Sequence, residues 1–317
     1  MASQTEPIST YDVPNYVGEV FYLGATLGKS PLLSMAGLTD GYETSQWNEY
    51  PMGNVLSGNA AAQNVVTEDA SIAAIARTSY TAAQATNYLE IHDVSYVQSY
   101  ARAALQGGIS GVAINGAKAA VIGSLETQRT AHLKQLACDL EFSALRGTVQ
   151  AWTNAATAGA TRGLVTAIEA GSETAAAGAS LSKTLIDTEI ARMAAAGAEW
   201  GRMVIACNAH QMQMLNTLYG FAPQSITVAG VQLQQIWLPI AGQCGVVYDP
   251  VLATDDLVFV DMNHFRPVFG IVPGKPPIFV EPLGKIAAGE QEQLYCLFGI
   301  DYSNIIFHGM VSGLATS

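Results

Sequence analysis

The chain has 317 residues, of which 50% are hydrophobic and 13% are charged, and its formal net charge is -12 at pH 7. Soluble domains average about 25% charged residues, and the centres of protein interfaces are depleted in charge. The composition therefore favours a chain that covers its surface with copies of itself, over a low-charge soluble protein with many surface Ser, Thr, Asn and Gln side chains. The acidic balance excludes tight duplex binding through clustered basic residues.

Residues 1–41 are a candidate N-terminal arm. The segment is polar at first, with Pro7 and Pro14, and becomes amphipathic between Val20 and Leu27. It lacks the apolar core of a signal peptide. Terminal segments of this kind are poorly ordered unless they are tied down. We therefore expect the arm to be ordered where a neighbouring segment holds it.

Residues 42–101 are predicted to be extended. Residues 42–50 and 87–97 alternate between apolar and polar side chains, which is typical of strands, and residues 53–69 between them are small and polar. The pattern predicts a long two-stranded arm that must lie on something, because an isolated strand pair is marginal in water. The aromatic side chains of this arm are candidate subunit-interface residues: Trp47, Tyr50, Tyr80, Tyr88 and Tyr96.

A long helix, which we call the spine helix, is predicted between Gly116 and Gly147. Apolar residues recur there at steps of three, four or their multiples, so they line one stripe of a helix. A helix of this extent is roughly 48 Å long, which exceeds the diameter of most small domains. The candidate core residues of the spine helix are Ile122, Leu125, Leu133, Leu136 and Leu140.

Residues 161–269 are predicted to form a compact α/β lobe. Ser182 is a plausible cap for a helix over residues 183–196, and Gly197 is its stop signal. Residues 203–207 are a buried-type strand, and Asn208 caps a second helix that runs through Leu218. Further strands are predicted over residues 226–228, 232–239, 245–248, 256–261, 278–281, 293–298 and 305–311. The Ala/Gly/Thr-rich residues 155–179 are predicted to be a loop.

No catalytic or metal-binding constellation is evident in the sequence. The four cysteines are scattered without zinc-ligand spacing and are interpreted as buried free thiols. His264 follows Asp261 closely, but a histidine making structural hydrogen bonds explains it better than a ligand does. Glu281, Glu290 and Glu292 have no partner nucleophile. We therefore expect no enzymatic activity, no metal and no cofactor. The most membrane-like window, residues 103–125, is too weakly apolar to predict a transmembrane helix.

The order of these parts resembles that of major capsid proteins of tailed bacteriophages, which share the HK97-like fold. The resemblance covers nearly the whole chain, and each motif is weak alone. Five stretches carry it: the end of the arm at residues 30–37, the rising strand at 42–47, its return at 87–95, the end of the spine helix at 132–147, and the closing strands at 283–285, 290–297 and 304–314.

This resemblance implies an α+β HK97-like capsid fold and a division of the chain. Residues 1–41 would be the N-terminal arm and residues 42–101 the extended loop. Residues 102–160, with the spine helix, and residues 270–317, with the closing strands, would form the peripheral domain. Residues 161–269 would be the axial α/β domain.

The resemblance also implies a function and partners. The protein would self-assemble into hexamers and pentamers of an icosahedral phage head that encloses double-stranded DNA, with DNA a neighbour by non-specific proximity only. A separate scaffolding protein, a portal and a possible decoration or cement protein would be partners, with no membrane involved, and assembly would take place in the host cytoplasm. The alternatives are an encapsulin-type nanocompartment shell, a tail or sheath protein and an unrecognised enzyme.

Covalent linkage between subunits is not expected. Some members of the family join neighbouring subunits through a lysine of the extended loop. In this chain the lysine that follows Lys29 is Lys118, and residues 42–101 contain neither lysine nor cysteine. The sequence therefore predicts a shell that is held together without covalent bonds from this loop.

Overall fold

The structure is a computed structural model, and it describes residues 15–37, 48–56, 65, 67–72, 82–101, 113–114, 117–118, 125–169, 171–220, 226–285 and 288–316. The helices are α1 (Val17–Leu27), α2 (Pro31–Ala36), α3 (Glu68–Ile72), α4 (Leu125–Arg146), α5 (Leu164–Ile168), α6 (Lys183–Ala196) and α7 (Ala209–Tyr219). The strands are β1 (Glu49–Leu56), β2 (Ala82–Tyr88), β3 (Glu90–Ser99), β4 (Ala113–Ile114), β5 (Ala117–Lys118), β6 (Glu173–Ala175), β7 (Met203–Cys207), β8 (Ile226–Val228), β9 (Val231–Leu238), β10 (Gly242–Tyr248), β11 (Leu257–Asp261), β12 (Arg266–Phe269), β13 (Ile278–Pro282), β14 (Gly289–Asp301) and β15 (Gly309–Ser312).

A seven-stranded mixed sheet is the largest of the four described sheets. Its strand order is β6-β15-β11-β7-β10-β9-β8, and β7 pairs in parallel with β10 and antiparallel with β11. Every residue of β7 and β11 is buried. Strands covered on both faces read as continuous apolar runs, and this is why the sequence of 203–207 predicted a buried strand without alternation.

The two faces of this sheet pack against different layers. Ile205, Cys207 and Phe259 lie in a core cluster with residues of α6 and α7. Val204 and Val258 lie in a second cluster that includes the buried side chains of α4. Successive residues of a strand point to opposite faces, so the sheet separates an outer helix layer from the spine helix.

Helices α6 and α7 begin and end where their sequence signals predict. The Ser182 hydroxyl accepts a hydrogen bond from the Leu185 N–H, and Gly197 closes α6 in the left-handed conformation. Asn208 accepts one from the Ala209 N–H at the start of α7. The predicted bounds of α6 are confirmed, and those of α7 are correct to one residue.

The second sheet is built on β14, which has 13 residues. β3 pairs with one edge of β14 along ten positions, and β13 and β12 pair with the other edge, all antiparallel. This corrects the predicted two-stranded arm. β1 pairs with β2 as a hairpin, but the alternating stretch after Leu89 belongs to this sheet. The physical reasons are the ten paired positions between β3 and β14 and the packing of Tyr96, the buried residue of β3, against His132 of α4.

The spine helix is shorter than predicted. α4 contains 22 residues, so it is about 33 Å long, and residues 117–118 pair as strand β5 with β4 instead of lying in the helix. Gly123 lies within the predicted range, and a glycine inside a helix costs about 1 kcal/mol relative to alanine. The apolar stripe therefore overestimated the helix at its N-terminal end.

Two other predictions are corrected by pairing between distant residues. The prediction of a strand over residues 305–311 is one of them: β15 begins at Gly309, and it joins the seven-stranded sheet between β11 and β6. Residues 155–179 contain α5 and β6 instead of being loop throughout. α5 has four buried residues and packs against α4, so its small apolar side chains are core and not linker.

Candidate assembly surfaces and their internal supports

The predicted core stripe of the spine helix lies inside the chain. Leu133, Leu136 and Leu140 are buried in the core cluster of α4, Leu125 is half-buried at its edge, and Ile122 lies outside the described residues. Ala137, Ala144 and Leu145 of α4 are also buried, although they were not among the predicted core residues. They extend the stripe by the same helical spacing, and small alanine side chains allow neighbouring segments to approach closely.

The N-terminal segment, residues 15–37, is held against the spine helix. Glu141 of α4 has no exposed surface, and its carboxylate accepts hydrogen bonds from the Ser30 hydroxyl at 3.0 Å and from the backbone N–H groups of Leu32 and Leu33 at 2.9 and 3.1 Å. The Ser34 hydroxyl donates to the backbone of α1 at Phe21. The segment is thus attached by a buried polar contact and by apolar packing. Residues 1–14 and 38–41 of the predicted arm lie outside the described residues.

A second buried carboxyl, that of Asp249 at the end of β10, faces Glu141. Burial raises the pKa of both groups, and the proximity of Asp249 raises that of Glu141 further. Desolvation and like charge both disfavour the doubly ionised pair. The pair connects three segments that are far apart in sequence: the N-terminal segment, the spine helix and the seven-stranded sheet.

A salt bridge connects the spine helix to the second sheet. The Arg129 guanidinium donates two hydrogen bonds to the Glu292 carboxylate, at 2.6 and 3.1 Å, and the Tyr96 hydroxyl donates a third at 2.7 Å. The ring of Tyr96 stacks on that of His132, with centroids 5.0 Å apart. Burial alone would raise the pKa of Glu292, but the bonds from Arg129 and Tyr96 outweigh burial and lower it.

The base of the β1–β2 hairpin is fixed to the second sheet. The Tyr50 hydroxyl donates to the Ile300 carbonyl at 2.8 Å, and Tyr50 is 1% exposed. The Trp152 indole N–H donates to the Leu89 carbonyl at 2.7 Å. Asn87, which has no exposed surface, adds hydrogen bonds to the backbone of Arg162 and Ile300. The hairpin therefore starts from a rigid base.

The aromatic interface candidates lie in different places. Tyr50 and Tyr96 are buried within their own chain, so these two side chains leave little surface for a neighbouring subunit. Tyr88 is half-buried at the end of β2. Trp47 and Tyr80 lie outside the described residues. Aromatic side chains at the base of an extended arm are needed to fix that base, and the sequence pattern does not distinguish this role from binding another subunit.

Large exposed apolar side chains occur elsewhere on the surface. Trp237 is 70% and Ile240 is 54% exposed at the connected ends of β9 and β10, and Ile91 and Val97 are exposed on the outer face of β3. Trp237 lies between the buried residues Ile236 and Leu238, so the alternation of β9 places it on the opposite face. That alternation was the signal in the sequence that could have identified Trp237 as exposed.

The titratable side chains form no catalytic arrangement within the described ranges. No group of three or more His, Cys, Asp or Glu residues suited to a metal ion occurs there. His264 stacks on Phe307 with centroids 3.9 Å apart. His308 is fully buried, with Nε2 3.0 Å from the Tyr302 carbonyl and Nδ1 accepting from the Asp261 N–H. Burial lowers the pKa of His308 to about 3, so this ring is neutral.

The four cysteine side chains of the described residues are free thiols. Cys207, Cys244 and Cys296 are buried free thiols, and Cys138 is a half-buried free thiol. None of the described helices combines the length and the hydropathy that crossing a bilayer requires.

The fold is that of a capsid shell subunit. The chain is similar to the capsid protein of cyanophage A-1(L), at 13% identity and a TM-score of 0.59 over 92% of this chain and 94% of that one. It is also similar to a chain of Mycobacterium phage Ogopogo, at 13% identity and a TM-score of 0.53 over 91% and 92% of the two chains. A third similar structure is the holo-SrpI encapsulin complex from Synechococcus elongatus, at 9% identity and a TM-score of 0.54 over 88% and 85%.

Residues 3–315 match the model of the family described as SU10 major capsid protein, and the chain belongs to that family. No curated protein matches the sequence. The protein is therefore a phage major capsid protein with an HK97-like fold, a structural component of the virion that assembles into capsid shells. The family is a class of structural proteins and not a class of enzymes.

Proposed function

We propose that this protein forms the hexamers and pentamers of an icosahedral phage head that encloses double-stranded DNA. The observation that carries the proposal is the match of residues 3–315 to a major capsid protein family. The low charged fraction of 13% supports it, because a subunit surrounded by copies of itself buries surface that a monomer would expose to water. Closed symmetry repeats each weak contact many times.

The assignment of chain segments to an arm, a loop and two domains is part of this proposal. Residues 1–41 are the N-terminal arm, 42–101 the extended loop, 102–160 and 270–317 the peripheral domain, and 161–269 the axial domain. The strand β15 is an exception, since it pairs within the seven-stranded sheet of the axial part. Support comes from the distinct cores on the two faces of that sheet and from the fixed base of the β1–β2 hairpin.

Partners follow from the same proposal. A separate scaffolding protein controls assembly in the host cytoplasm, a portal occupies one vertex, and a decoration or cement protein binds the outer surface. DNA lies next to the shell by proximity and not through specific contacts. The net charge of -12 supports the last point, because phosphate binding depends on clustered lysine and arginine side chains.

Electron microscopy of the full-length protein tests the proposal. The chain is expressed with and without its neighbouring genes, and particles are imaged directly and after nuclease treatment. We expect closed icosahedral shells large enough for a phage genome when the neighbouring genes are present. Small shells that capture a cargo protein would support the encapsulin-type alternative, and tubes would support a tail protein. Monodisperse monomers under all conditions would contradict the proposal.

A further inference from the structure

The buried carboxyls of Glu141 and Asp249 are the strongest unexplained feature of the described chain. Both side chains have no exposed surface. The Glu141 carboxylate receives three donors, all from residues 30–33. Asp249 Oδ1 receives the Val251 N–H at 2.9 Å, whereas Oδ2 is buried without a donor among the described residues.

A single proton accounts for this arrangement. Two ionised carboxylates only accept hydrogen bonds, and they repel each other where little water screens them. If one proton is bound, one carboxyl donates to the other, and the buried Oδ2 gains a partner. This satisfies every oxygen of the pair, which matters because a buried polar atom without a hydrogen-bond partner is destabilising.

We propose that Glu141 and Asp249 form a proton-sharing latch that holds residues 15–37 on the spine helix, and that loss of the shared proton to solvent releases this segment. The latch is selective for that segment because the three hydrogen-bond donors to Glu141 belong to it. The proposal concerns the seating of the N-terminal segment within one subunit and does not depend on the type of particle that the subunit forms.

Other titratable or charged groups lie on the elements around the pair, and their positions do not neutralise it. Cys207 lies at the end of β7, and burial followed by the charge of Asp249 raises its pKa to about 12, so it stays a neutral thiol. Lys29 is exposed just before Ser30. Further groups on the packed elements include Cys138 and Asp139 beside Glu141 on α4, Glu19 and Tyr22 on α1, Tyr248 on β10 and Arg266 on β12. The other charged or titratable residues of α4 are Glu126, Arg129, His132, Lys134 and Arg146.

The sign of the pH dependence follows from proton binding. The latched state keeps one proton to a higher pH than the released state, in which both carboxyls return toward ordinary values near 4. The latched state is therefore fully favoured below about pH 4 and is progressively weakened as the pH rises from there to the raised pKa of Asp249, about 6. Each pH unit within this window changes the latching equilibrium by about tenfold for one proton.

Hydrogen exchange of the full-length protein tests the latch. The backbone amides of Leu32 and Leu33 are measured between about pH 4.5 and about pH 6, corrected for intrinsic exchange, with the assembly state checked by light scattering. In the wild type we expect their protection to fall by about tenfold per pH unit. The buried amides of β7 serve as the internal reference for opening of the whole subunit.

The decisive variant is Asp249→Asn. Its amide oxygen can accept from Val251, and its NH₂ group can donate permanently to Glu141, so protection of Leu32 and Leu33 should stay within about twofold over the same range. Asp256→Asn is the matched control, because Asp256 also has a pKa raised to about 6 by burial but is not part of the latch. This control should retain the wild-type slope.

Either of two results would overturn the proposal: a flat wild-type profile, or an Asp249→Asn profile that falls as steeply as the wild type. If Asp249→Asn does not fold, the wild-type profile still decides, together with Ser30→Ala. That variant removes one donor to Glu141, so it should lower protection at every pH while keeping the slope. A Ser30→Ala profile identical to the wild type would also argue against the latch.

Discussion

The Asn87 side chain is fully buried, and both its amide nitrogen and its carbonyl oxygen have hydrogen-bond partners. Its NH₂ group donates to the carbonyls of Arg162 and Ile300, and its carbonyl oxygen accepts from the N–H groups of Tyr88 and Arg162. A buried amide is tolerated when its donors and acceptors are matched in this way. Asn87, Glu141 and His308 each connect segments that are distant in the sequence, so the few buried polar side chains of this low-charge chain act as positioning groups.

His308 should make the protein sensitive to acid. Its pKa is lowered to about 3, against about 6.5 in an unfolded chain. Between these values the unfolded state binds more protons, so the free energy of unfolding decreases as the pH falls, by at most about 1.4 kcal/mol per pH unit. Urea unfolding of His308→Gln at about pH 7 and about pH 4.5 should show a smaller loss than the wild type.

The control for this measurement is His210→Gln, because His210 is a half-buried histidine on α7 and not in the His308 site. It should retain the pH dependence of the wild type. Equal losses of stability in His308→Gln and the wild type would show that His308 does not titrate with folding.

Leu136 and Leu140 should be structural. Replacing either buried side chain with alanine should lower the free energy of unfolding by about 2–5 kcal/mol, because it removes apolar contacts and leaves a cavity. Lys134→Ala on the exposed face of the same helix is the control and should change stability by about 0.5 kcal/mol or less. Soluble Leu136→Asp subunits that assemble normally would contradict the assignment of this stripe to the core.

At the scale of elements, the spine helix is attached to each neighbouring layer by a different kind of contact. Glu141 attaches it to the N-terminal segment, Leu140 and Leu145 pack in the shared core, and Arg129 attaches it to β14. Polar contacts at both ends fix the position of the helix along its axis, whereas apolar packing alone would tolerate sliding.

Breaking the contact between α4 and β14 should destabilise the subunit. Arg129→Met leaves the mostly buried Glu292 carboxylate without its main donor, so we expect a loss of about 1–3 kcal/mol in the free energy of unfolding. Adding Glu292→Gln to this variant should recover part of the loss, because the unpaired charge is removed. The measurement is a double-mutant cycle by urea unfolding.

The half-exposed ion pair between Lys275 and Glu281 provides the comparison. Removing it with Lys275→Met should cost between about 0 and 1 kcal/mol, since water reaches both groups and screens the pair. A loss in Arg129→Met no larger than that of Lys275→Met would show that the Arg129 contact contributes little to stability.

At the scale of the whole molecule, the chain passes between the seven-stranded sheet and the sheet built on β14 more than once. β15 returns from the tail to the seven-stranded sheet, and β3 leaves the hairpin to pair with β14. These crossings tie the proposed peripheral and axial parts together. The exposed side chains of Trp237, Ile240, Ile91 and Val97 remain available on the outside.

The assembled shell should contain no covalent cross-links from the proposed extended loop. Residues 42–101 have no lysine amine and no cysteine thiol to supply one. Particles boiled in detergent should give a single band near 33.3 kDa, the mass of the chain. Bands at multiples of this mass that persist under reducing conditions would contradict the prediction, and the same gel without boiling shows whether non-covalent assemblies were present.

Local signals in the sequence determined much of the α/β lobe. The bounds of α6, β7 and β8 were predicted to the residue, because a Ser cap, a terminal glycine and short apolar runs act through neighbouring residues. The broad resemblance to a capsid protein rested on the order of such elements, and the family match bears it out.

Tertiary structure alone decided which elements pair and which aromatic side chains are buried. Periodicity shows that Tyr50 and Tyr96 lie in strands, but their burial depends on Ile300, Glu292 and the spine helix, which are distant in sequence. The same holds for β15 and for the meeting of Glu141 with Asp249. A side chain is buried by whatever packs over it, and that partner is selected by the free energy of the whole fold, which no local pattern contains.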